Sequence, residues 1–336
     1  MRKIFILLLL NFILVSVFSV NVKVSNDITV SGLSSGGYMS PQVHISFSSK
    51  IRGSGVFAGG PYYCAKGNTM TALTTCMSGY GIININGLIK TIKDYEQSGK
   101  IDSISNIKDS KVYIYSGSGD TTVNPKVSKE GEKLYKALGA DIKSEYSIKA
   151  KHAMPTESYG NPCETSKSPF INKCGFNGAL EALNHLFNGQ IVPGKNSYKE
   201  NFYKMKQNVS LGSSMGPNAF LYVPKNCLSK NCPLHIVFHG CKQTLNDIGM
   251  KYVQFTGYNE IAEANDILLL YPQAVSSMMM PSNPNGCWDW FGYTDSNYAN
   301  KEGKQMKIIN NLMDSLLNGV EIASLSHEEL ESESIE

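Results

Sequence analysis

A serine held between two glycines near the start of the chain constrains the fold more than any other feature. Residues 32–36 read GLSSG and directly follow an alternating stretch, VKVSNDITV. Glycine lacks a Cβ atom, so this pattern lets a strand turn abruptly into a helix and expose the side chain at the turn. We therefore predict a strand, a sharp turn and a helix here, with Ser34 as a candidate nucleophile.

Apolar periodicity along the rest of the chain alternates between strand-like and helix-like segments. The strand-like segments include GSGVFAGG, KVYIYSGSGD, SEYSIKAKH and ILLLYP. The helix-like segments include GGYMSPQVHISFSS, VSKEGEKLYKALGA, GALEALNHLF and KQMKIINNLMDSLL. This alternation predicts an α/β fold with a mostly parallel sheet and helices on both faces. Two further segments, AFLYVP and PLHIVFHG, are expected to be a pair of neighbouring strands.

Two segments depart from this alternation. Residues 188–218 are polar and rich in Asn, Ser, Gly and Lys, and we expect a long connection there. Residues 317–336 end in SHEELESESIE, which predicts an acidic, disordered tail. Over residues 20–316, the pattern and the 42% content of hydrophobic residues favour one catalytic α/β domain.

The first residues have the pattern of a secretory signal peptide. Arg2 and Lys3 precede the apolar run IFILLLLNFILVSVF, and Val17 and Ser19 suit a small-residue cleavage site. A transmembrane anchor is the alternative, but the run is short for a span and an asparagine interrupts it. We expect a signal peptide over residues 1–19, an extracellular protein and no stable membrane anchor. Removing it lowers the formal charge of +3 by two, so nucleic acid is not an expected partner.

All 8 cysteines follow residue 60, and an even number suits disulfides in a secreted protein. They are Cys64, Cys76, Cys163, Cys174, Cys227, Cys232, Cys241 and Cys287. Roughly a hundred pairings are possible, and joining neighbours would give 64–76, 163–174, 227–232 and 241–287. A zinc site is the alternative, but no C-x-x-C pair or histidine cluster has ligand spacing. We expect disulfides and no metal.

A serine nucleophile needs a base, an acid that orients the base, and N–H donors for the oxyanion. The candidate acid is Asp120, which follows the strand-like segment KVYIY and whose alternative role is to close an ordinary turn. The candidate base is His152, on a loop before Pro155. Less suitable acids and histidines, at surface positions, in helices, in a strand or in the tail, are Asp102, Asp109, Asp141, His44, His185, His235 and His327.

The candidate oxyanion donors are the backbone N–H groups of Ser35 and of Cys241, which lies in IVFHGCKQT. We expect His239 to shape this loop rather than to react. These pieces resemble an α/β-hydrolase, in which an HG loop precedes the serine turn in the chain. Here the HG loop follows the serine turn, so we expect a circularly permuted α/β-hydrolase fold. Residues 217–316 would form its front half, residues 20–190 its back half, and the polar connection the joint.

The order of six motifs is similar to that of secreted, single-domain, circularly permuted poly(3-hydroxybutyrate) depolymerases. The motifs are GLSSGG, SGSGDTTV, KHAMPT, HGCKQT, LLLYPQA and NPNGCWDWFGY. The resemblance covers nearly the whole chain after the signal peptide. It implies that Ser34, Asp120 and His152 are catalytic and that the N–H groups of Ser35 and Cys241 bind the oxyanion.

The same resemblance implies that aromatic side chains at the cleft contact the polymer. The candidates are Trp288, Trp290, Phe291 and Tyr293, for which a place in the core is the alternative.

The activity implied by the resemblance is that of a secreted serine esterase acting on poly(3-hydroxybutyrate) or related polyhydroxyalkanoates. The mechanism of such an esterase needs no cofactor or metal, and we expect a monomer. The alternative is a secreted carboxylesterase that acts on feruloyl or acetyl esters of plant-wall polysaccharides with the same site chemistry. A third interpretation is a non-catalytic binding protein on a hydrolase scaffold. It is disfavoured because a binding protein does not need a nucleophile, acid, base and HG loop together.

Overall fold

A computed structural model describes residues 19–332, so the signal peptide predicted over residues 1–19 lies, except for Ser19, outside the described residues. The described part of the chain contains thirteen strands. They are β1 Ser19–Val22, β2 Val24–Leu33, β3 Ile51–Phe57, β4 Lys111–Tyr115, β5 Asp141–Glu145, β6 Met154–Thr156, β7 Asn161–Pro162, β8 Ile171–Lys173, β9 Phe202–Lys206, β10 Asn218–Tyr222, β11 Cys232–Phe238, β12 Leu268–Tyr271 and β13 Val320–Ser324.

The same residues contain ten α-helices, some of them a single turn. They are α1 Ser35–Ser46, α2 Thr69–Thr71, α3 Ile85–Gln97, α4 Pro125–Ala137, α5 Gly178–Leu186, α6 Leu245–Ile248, α7 Lys251–Phe255, α8 Tyr258–Asn265, α9 Lys304–Asn318 and α10 His327–Ser332. A π-helical segment, Ala72–Met77, continues α2. Short 3₁₀ turns cover Ile104–Ile107, Lys199–Asn201 and Lys225–Leu228.

Helix starts follow the capping chemistry of the sequence. The Asn124 side chain accepts a hydrogen bond from the N–H of Lys126 at 3.0 Å, and Pro125 occupies the first helical position of α4. Asn177 caps α5 in the same way, through the N–H of Leu180 at 3.0 Å. These caps satisfy backbone donors that the first helical turn leaves free.

Ten strands form one sheet in the order β1-β13-β9-β10-β12-β11-β2-β3-β4-β5. Each neighbouring pair from β12 to β5 is parallel, and the four remaining pairs at the other edge are antiparallel. The prediction of a mostly parallel α/β sheet is therefore confirmed, and the arrangement is that of an α/β-hydrolase fold. A small separate sheet has the order β6-β8-β7.

Helices cover both faces of the large sheet, as predicted. Strand β4 illustrates this, because Val112 and Ile114 pack with residues of α3 and α4, whereas Tyr113 and Tyr115 pack with residues of α5. Successive side chains of a strand point to opposite faces, so each face needs its own apolar cover. Helices α1 and α9 share a further cluster with β2, β11 and β12.

The expected pairing of AFLYVP with PLHIVFHG is wrong. These segments form β10 and β11, and β12 lies between them, antiparallel to β10 and parallel to β11. Strand β11 has buried apolar side chains, including Ile236 and Val237, that belong to clusters on opposite faces. A strand covered on both faces favours a central position with parallel partners over a hairpin at the edge.

The expected long connection over residues 188–218 is interrupted by β9. This strand pairs antiparallel with β10 and places Phe202, Tyr203 and Met205 among the buried residues. Its five residues are too few to give a clear period within a polar, glycine-containing stretch.

The expectation of a disordered tail over residues 317–336 is wrong for the part that the structure describes. Helix α9 continues to Asn318, and β13 pairs with both β1 and β9. Ile322 is 1% exposed and Leu330 of α10 is 3% exposed. Burial of these two side chains stabilises the segment despite its acidic composition. Residues 333–336 lie outside the described residues.

Four disulfides join the cysteines. The bonds are Cys64–Cys76, Cys163–Cys174, Cys227–Cys232 and Cys241–Cys287. The pairing of neighbours is confirmed. Among residues 19–332, no helix combines the length and apolar character needed to cross a membrane.

Candidate active site

The turn that carries Ser34 joins β2 directly to α1. Ser34 has φ 58° and ψ −117°, a conformation that residues with a side chain rarely adopt. Its N–H donates to the carbonyl oxygen of Phe57 at 2.9 Å. A Cβ atom at Gly32 would lie 2.4 Å from the Gly36 carbonyl oxygen, and one at Gly36 would lie 2.3 Å from that of Phe238. Only glycine fits at these two positions, and the predicted strand-to-helix turn is confirmed.

Ser34, His152 and Asp120 form one hydrogen-bonded chain. His152 Nε2 lies 2.8 Å from Ser34 Oγ, and His152 Nδ1 lies 2.7 Å from Asp120 Oδ2. The other carboxylate oxygen, Oδ1, accepts the N–H groups of Thr122 at 2.8 Å and Val123 at 3.0 Å. An ionised carboxylate only accepts hydrogen bonds, so Nδ1 carries the proton and Nε2 is free to accept from the serine hydroxyl. The geometry suits a serine whose proton is removed as it attacks.

The rival acids lie away from this chain. Asp102 forms an ion pair with Lys301, and Asp141 forms one with Lys111. Asp109 has φ 61° in a surface turn. The sequence therefore identified the carboxylate that reaches His152.

The rival histidines are also elsewhere. Burial lowers the pKa of His44 and of His235 to about 3, so both rings are neutral at physiological pH. His235 lies within hydrogen-bonding distance of Thr29, at 2.8 Å, and His185 of a backbone carbonyl at 3.1 Å. The side chain of His327 lies outside the described residues.

His239 holds the loop that follows β11. Its Nε2 accepts the N–H of Ala274 at 3.1 Å, which leaves the ring proton on Nδ1. Nδ1 then donates to the carbonyl oxygen of Gly240 at 2.7 Å. Burial lowers the pKa of His239 to about 4, so the ring is neutral. These contacts agree with a role in shaping the loop.

The N–H groups of Ser35 and Cys241 lie on the two chain segments that meet at Ser34. Residues 19–332 offer neither group a hydrogen-bond acceptor. Cys241 is tied to Cys287 by a disulfide, and the N–H of Lys242 donates to the carbonyl of Asn285 at 2.7 Å. The loop is thus held with one free amide donor beside the serine, as an oxyanion site requires.

A pocket of about 530 Å³ opens over Ser34 and His152. Its apolar lining includes Leu73, Met77, Phe170, Trp290 and Phe291. Among residues 19–332, no group of three or more His, Cys, Asp or Glu side chains could hold a metal ion.

The aromatic candidates divide into two pairs. Trp290 lines the pocket and stacks on Tyr38 with ring centroids 4.0 Å apart, and Phe291 lies beside it. Trp288 does not reach the pocket, because it is fully buried and its Nε1 donates to the carbonyl of His239 at 2.9 Å.

Tyr293 does not reach the pocket either. Its hydroxyl donates to the Cys287 carbonyl at 2.7 Å and is surrounded by Asn283 and Gln305. The expectation that Trp288 and Tyr293 line the cleft is wrong, because the Trp288 indole and the Tyr293 hydroxyl instead form hydrogen bonds to the backbone of this region.

The sequence analysis missed two walls of the pocket. One is the helical segment over residues 69–77, which contributes Thr69, Leu73 and Met77, and the other is the loop with Ser166 and Phe170. A cysteine pair closes each of these segments, 64–76 and 163–174. The signal available in the sequence was the short spacing of these two cysteine pairs, 12 and 11 residues, which is compatible with disulfide-closed loops.

No protein-family model matches the chain. Among characterised proteins, the polyhydroxybutyrate depolymerase of Talaromyces funiculosus is 35% identical over 322 residues, which cover 90% of this chain and 92% of that relative. The chain belongs to the polyhydroxybutyrate depolymerase family. The poly(3-hydroxybutyrate) depolymerase of Delftia acidovorans is 37% identical over 303 residues, 87% of this chain, and this chain spans 60% of its length.

Solved structures of the family agree. The crystal structure of PHB depolymerase from Penicillium funiculosum has a TM-score of 0.81 and 32% identity, and the match covers 89% of this chain and 98% of that one. A PHB depolymerase variant complexed with an R3HB trimer has the same TM-score of 0.81, with 33% identity and the same coverage.

Proposed function

We propose that this depolymerase-family chain is a serine esterase that hydrolyses poly(3-hydroxybutyrate) or related polyhydroxyalkanoate esters through Ser34, His152 and Asp120. The observation that carries the proposal is the hydrogen-bonded chain from the carboxylate to the serine, with links of 2.7 and 2.8 Å, beside an apolar pocket. Family membership supports the substrate, because both relatives are depolymerases of this polyester by name.

In the proposed acylation, His152 Nε2 takes the Ser34 proton while Ser34 Oγ attacks the ester carbonyl carbon. Asp120 accepts from Nδ1–H and stabilises the imidazolium that forms. The N–H groups of Ser35 and Cys241 donate to the oxyanion, and one such donor contributes about 100- to 1000-fold to kcat. His152 then returns the proton to the leaving oxygen, which departs as the hydroxyl end of the polymer fragment.

In the proposed deacylation, water replaces the alcohol. His152 takes a proton from a water molecule whose oxygen attacks the acyl carbon. The second tetrahedral intermediate collapses, Ser34 Oγ regains the proton, and the acyl fragment leaves as a carboxylic acid. Apart from this water, each step uses only groups of the chain and the substrate.

The lining of the pocket supports an aliphatic polyester as substrate. Leu73, Met77 and Phe170 provide apolar contact, and Trp290 provides a flat aromatic wall. A polyester repeat has methyl and methylene groups and an uncharged ester, so such walls can bind it through apolar contact.

We infer that the chain order arose by circular permutation. Strand β2 with the serine lies beside β11 with the HG loop, although β11 comes much later in the chain. Val22, two residues before β2, pairs with Val320, two residues after α9. A short loop could join α9 to β2 directly, and this supports an ancestral chain in which α9 led straight into β2.

We also infer that residues 1–19 are a cleaved signal peptide and that the protein is secreted, works as a monomer and has no stable membrane anchor. Four disulfides support secretion, since such bonds persist mainly in oxidising compartments.

Release of 3-hydroxybutyrate from suspended poly(3-hydroxybutyrate) tests the substrate, with the protein lacking residues 1–19 compared with its Ser34→Ala variant. We expect release by the wild type alone. If neither protein releases it, while the wild type alone frees ferulate or acetate from plant-wall polysaccharide, the proposed substrate is wrong and the nucleophile stands.

A further inference from the structure

The side-chain amide of Gln243 bridges two walls of the pocket. It is 1% exposed, and its Oε1 accepts the N–H of Gly240 at 2.6 Å. Its Nε2 donates to the carbonyl oxygens of Pro169 at 2.8 Å and Phe170 at 3.3 Å. Two carbonyls can only accept, so the amide has one satisfactory orientation, with nitrogen towards the 169–170 wall.

The same wall supports the loop that carries His152. The N–H of Lys151 donates to the carbonyl of Cys163 at 3.1 Å, and the N–H of Met154 donates to that of Phe170 at 2.9 Å. These bonds flank His152 on both sides in the chain. We call residues 163–170 the strut, because they contact both loops of the site and the Cys163–Cys174 disulfide closes the segment.

Gln243 also determines which amide is free at the HG loop. Gly240 N–H and Cys241 N–H are consecutive donors, and Gln243 Oε1 occupies the first of them. Of these two donors, only Cys241 N–H is then without an acceptor among residues 19–332. The Gln243 side chain therefore holds the peptide group that immediately precedes the one carrying the proposed oxyanion donor, Cys241 N–H.

We propose that Gln243 is a positioning residue that sets the distance between the proposed oxyanion donor, Cys241 N–H, and the proposed base, His152, by tying both loops to the strut. The inference rests on the proposed function of Ser34 and His152. It assigns Gln243 no contact with the reacting atoms.

A positioning role makes a specific kinetic prediction. Misplacement of a donor by about 1 Å can cost on the order of 100-fold in rate. The oxyanion exists in the transition state and not in the bound ester, so the loss falls on kcat and leaves KM nearly unchanged.

The test is Gln243→Glu, which preserves shape and the acceptor for Gly240 N–H but removes the donor to Pro169 and Phe170. With soluble p-nitrophenyl butyrate, we expect kcat about 100-fold lower and KM within about 3-fold of wild type. The carboxyl group introduced at this position regains a donor when it is protonated, so activity relative to wild type should rise as pH falls.

The matched control is Asn259→Asp, because Asn259 is 0% exposed and its Nδ2 donates to two carbonyls at 2.7 and 3.3 Å. It lies in α8, and we expect its change to lower the melting temperature with kcat within about 3-fold of wild type. If Gln243→Glu does not fold, Gln243→Asn replaces it, since its shorter side chain cannot span both walls.

Equal loss of kcat in the Gln243 and Asn259 variants would overturn the inference, as would a Gln243 variant with wild-type kcat or one in which only KM rises. Ser34→Ala is measured in parallel. If wild-type esterase activity does not depend on Ser34, the proposed function has failed; if it does and Gln243→Glu is fully active, the positioning role alone has failed.

Discussion

At the scale of single residues, hydrogen bonding decides the protonation pattern of the site. Asp120 receives two backbone N–H groups on one oxygen and faces His152 Nδ1 with the other. That arrangement leaves His152 Nε2 as an acceptor 2.8 Å from Ser34 Oγ. In the proposed mechanism the tautomer, rather than the charge of the carboxylate alone, prepares the histidine to take a proton.

Asp120→Asn tests this tautomer. If the nitrogen of the introduced amide faces His152 Nδ1, the ring must place its proton on Nε2, where it cannot accept from Ser34. We expect kcat for p-nitrophenyl butyrate to fall by about 10⁴-fold with the fold intact. A variant that keeps more than about a tenth of wild-type kcat would contradict this role.

Buried histidines make stability depend on pH. The pKa is lowered from 6.5 to about 3 for His44 and His235 and to about 4 for His239, in each case first by burial. Above pH 6.5 these rings are neutral in both states. Below pH 6.5 the histidines bind protons in the unfolded chain but stay neutral in the folded chain. The free energy of unfolding therefore falls as pH drops towards 4.

We expect the free energy of unfolding to decrease by about 1.4 kcal/mol per pH unit for each such histidine between roughly pH 6 and 4. His44→Phe removes one group, which stacks on Tyr135. Urea unfolding at several pH values should therefore show a shallower slope in this variant. An unchanged slope would exclude His44 as one of the groups.

At the scale of secondary-structure elements, the length of a helix or strand decided whether its sequence pattern could predict it. Strands with continuous apolar runs, such as β11 and β12, and amphipathic helices such as α4 and α9 followed from periodicity. The five-residue strands β9 and β13 did not, because each is short and lies within a polar or acidic stretch of sequence, in the antiparallel part of the sheet. Their burial depends on neighbours that are distant in the chain.

Truncation tests the importance of strand β13, which lies between β1 and β9. A chain that ends at residue 319 loses the buried side chains of Ile322 and Leu330. We expect it to be about 3–6 kcal/mol less stable in urea unfolding. In the full chain, Ile322→Ala should cost about 2–4 kcal/mol by leaving a cavity. Unchanged stability in both the truncated chain and Ile322→Ala would contradict this packing and support a disordered tail.

At the scale of the whole molecule, the site is assembled from segments that chain order separates. The local motifs were sufficient to predict the placement of Ser34, Asp120, His152 and Cys241, because each lies in a turn or loop that follows a parallel strand, namely β2, β4, β5 and β11. The segment SEYSIKAKH was expected to be a strand up to His152, but β5 ends at Glu145 and a loop carries the histidine. The same motifs could not decide which face of an irregular loop Trp288 and Trp290 occupy. Nor could they reveal the strut, since its contacts with Gln243 are purely tertiary.

A re-joined chain tests the proposed permutation. Ser19 and Ala323 are register partners at adjacent strand ends. A short Gly/Ser linker from residue 324 to residue 20, the first residue after the proposed signal peptide, with new termini opened between the exposed residues 189 and 190, should restore a conventional order. We expect kcat within about 3-fold of a matched unlinked chain ending at residue 324. Failure of the linked chain alone to fold would argue against this history.

Labelling with an alkyl phosphonate ester, followed by peptide mass spectrometry, tests the central claim that Ser34 is the nucleophile for polyester hydrolysis. Such probes react with activated serines. The account predicts one adduct per chain, on Ser34, with release of 3-hydroxybutyrate from the polymer lost in proportion to labelling and with no adduct in Ser34→Ala. An adduct on another residue, or full polymer hydrolysis by the completely labelled protein, would contradict it.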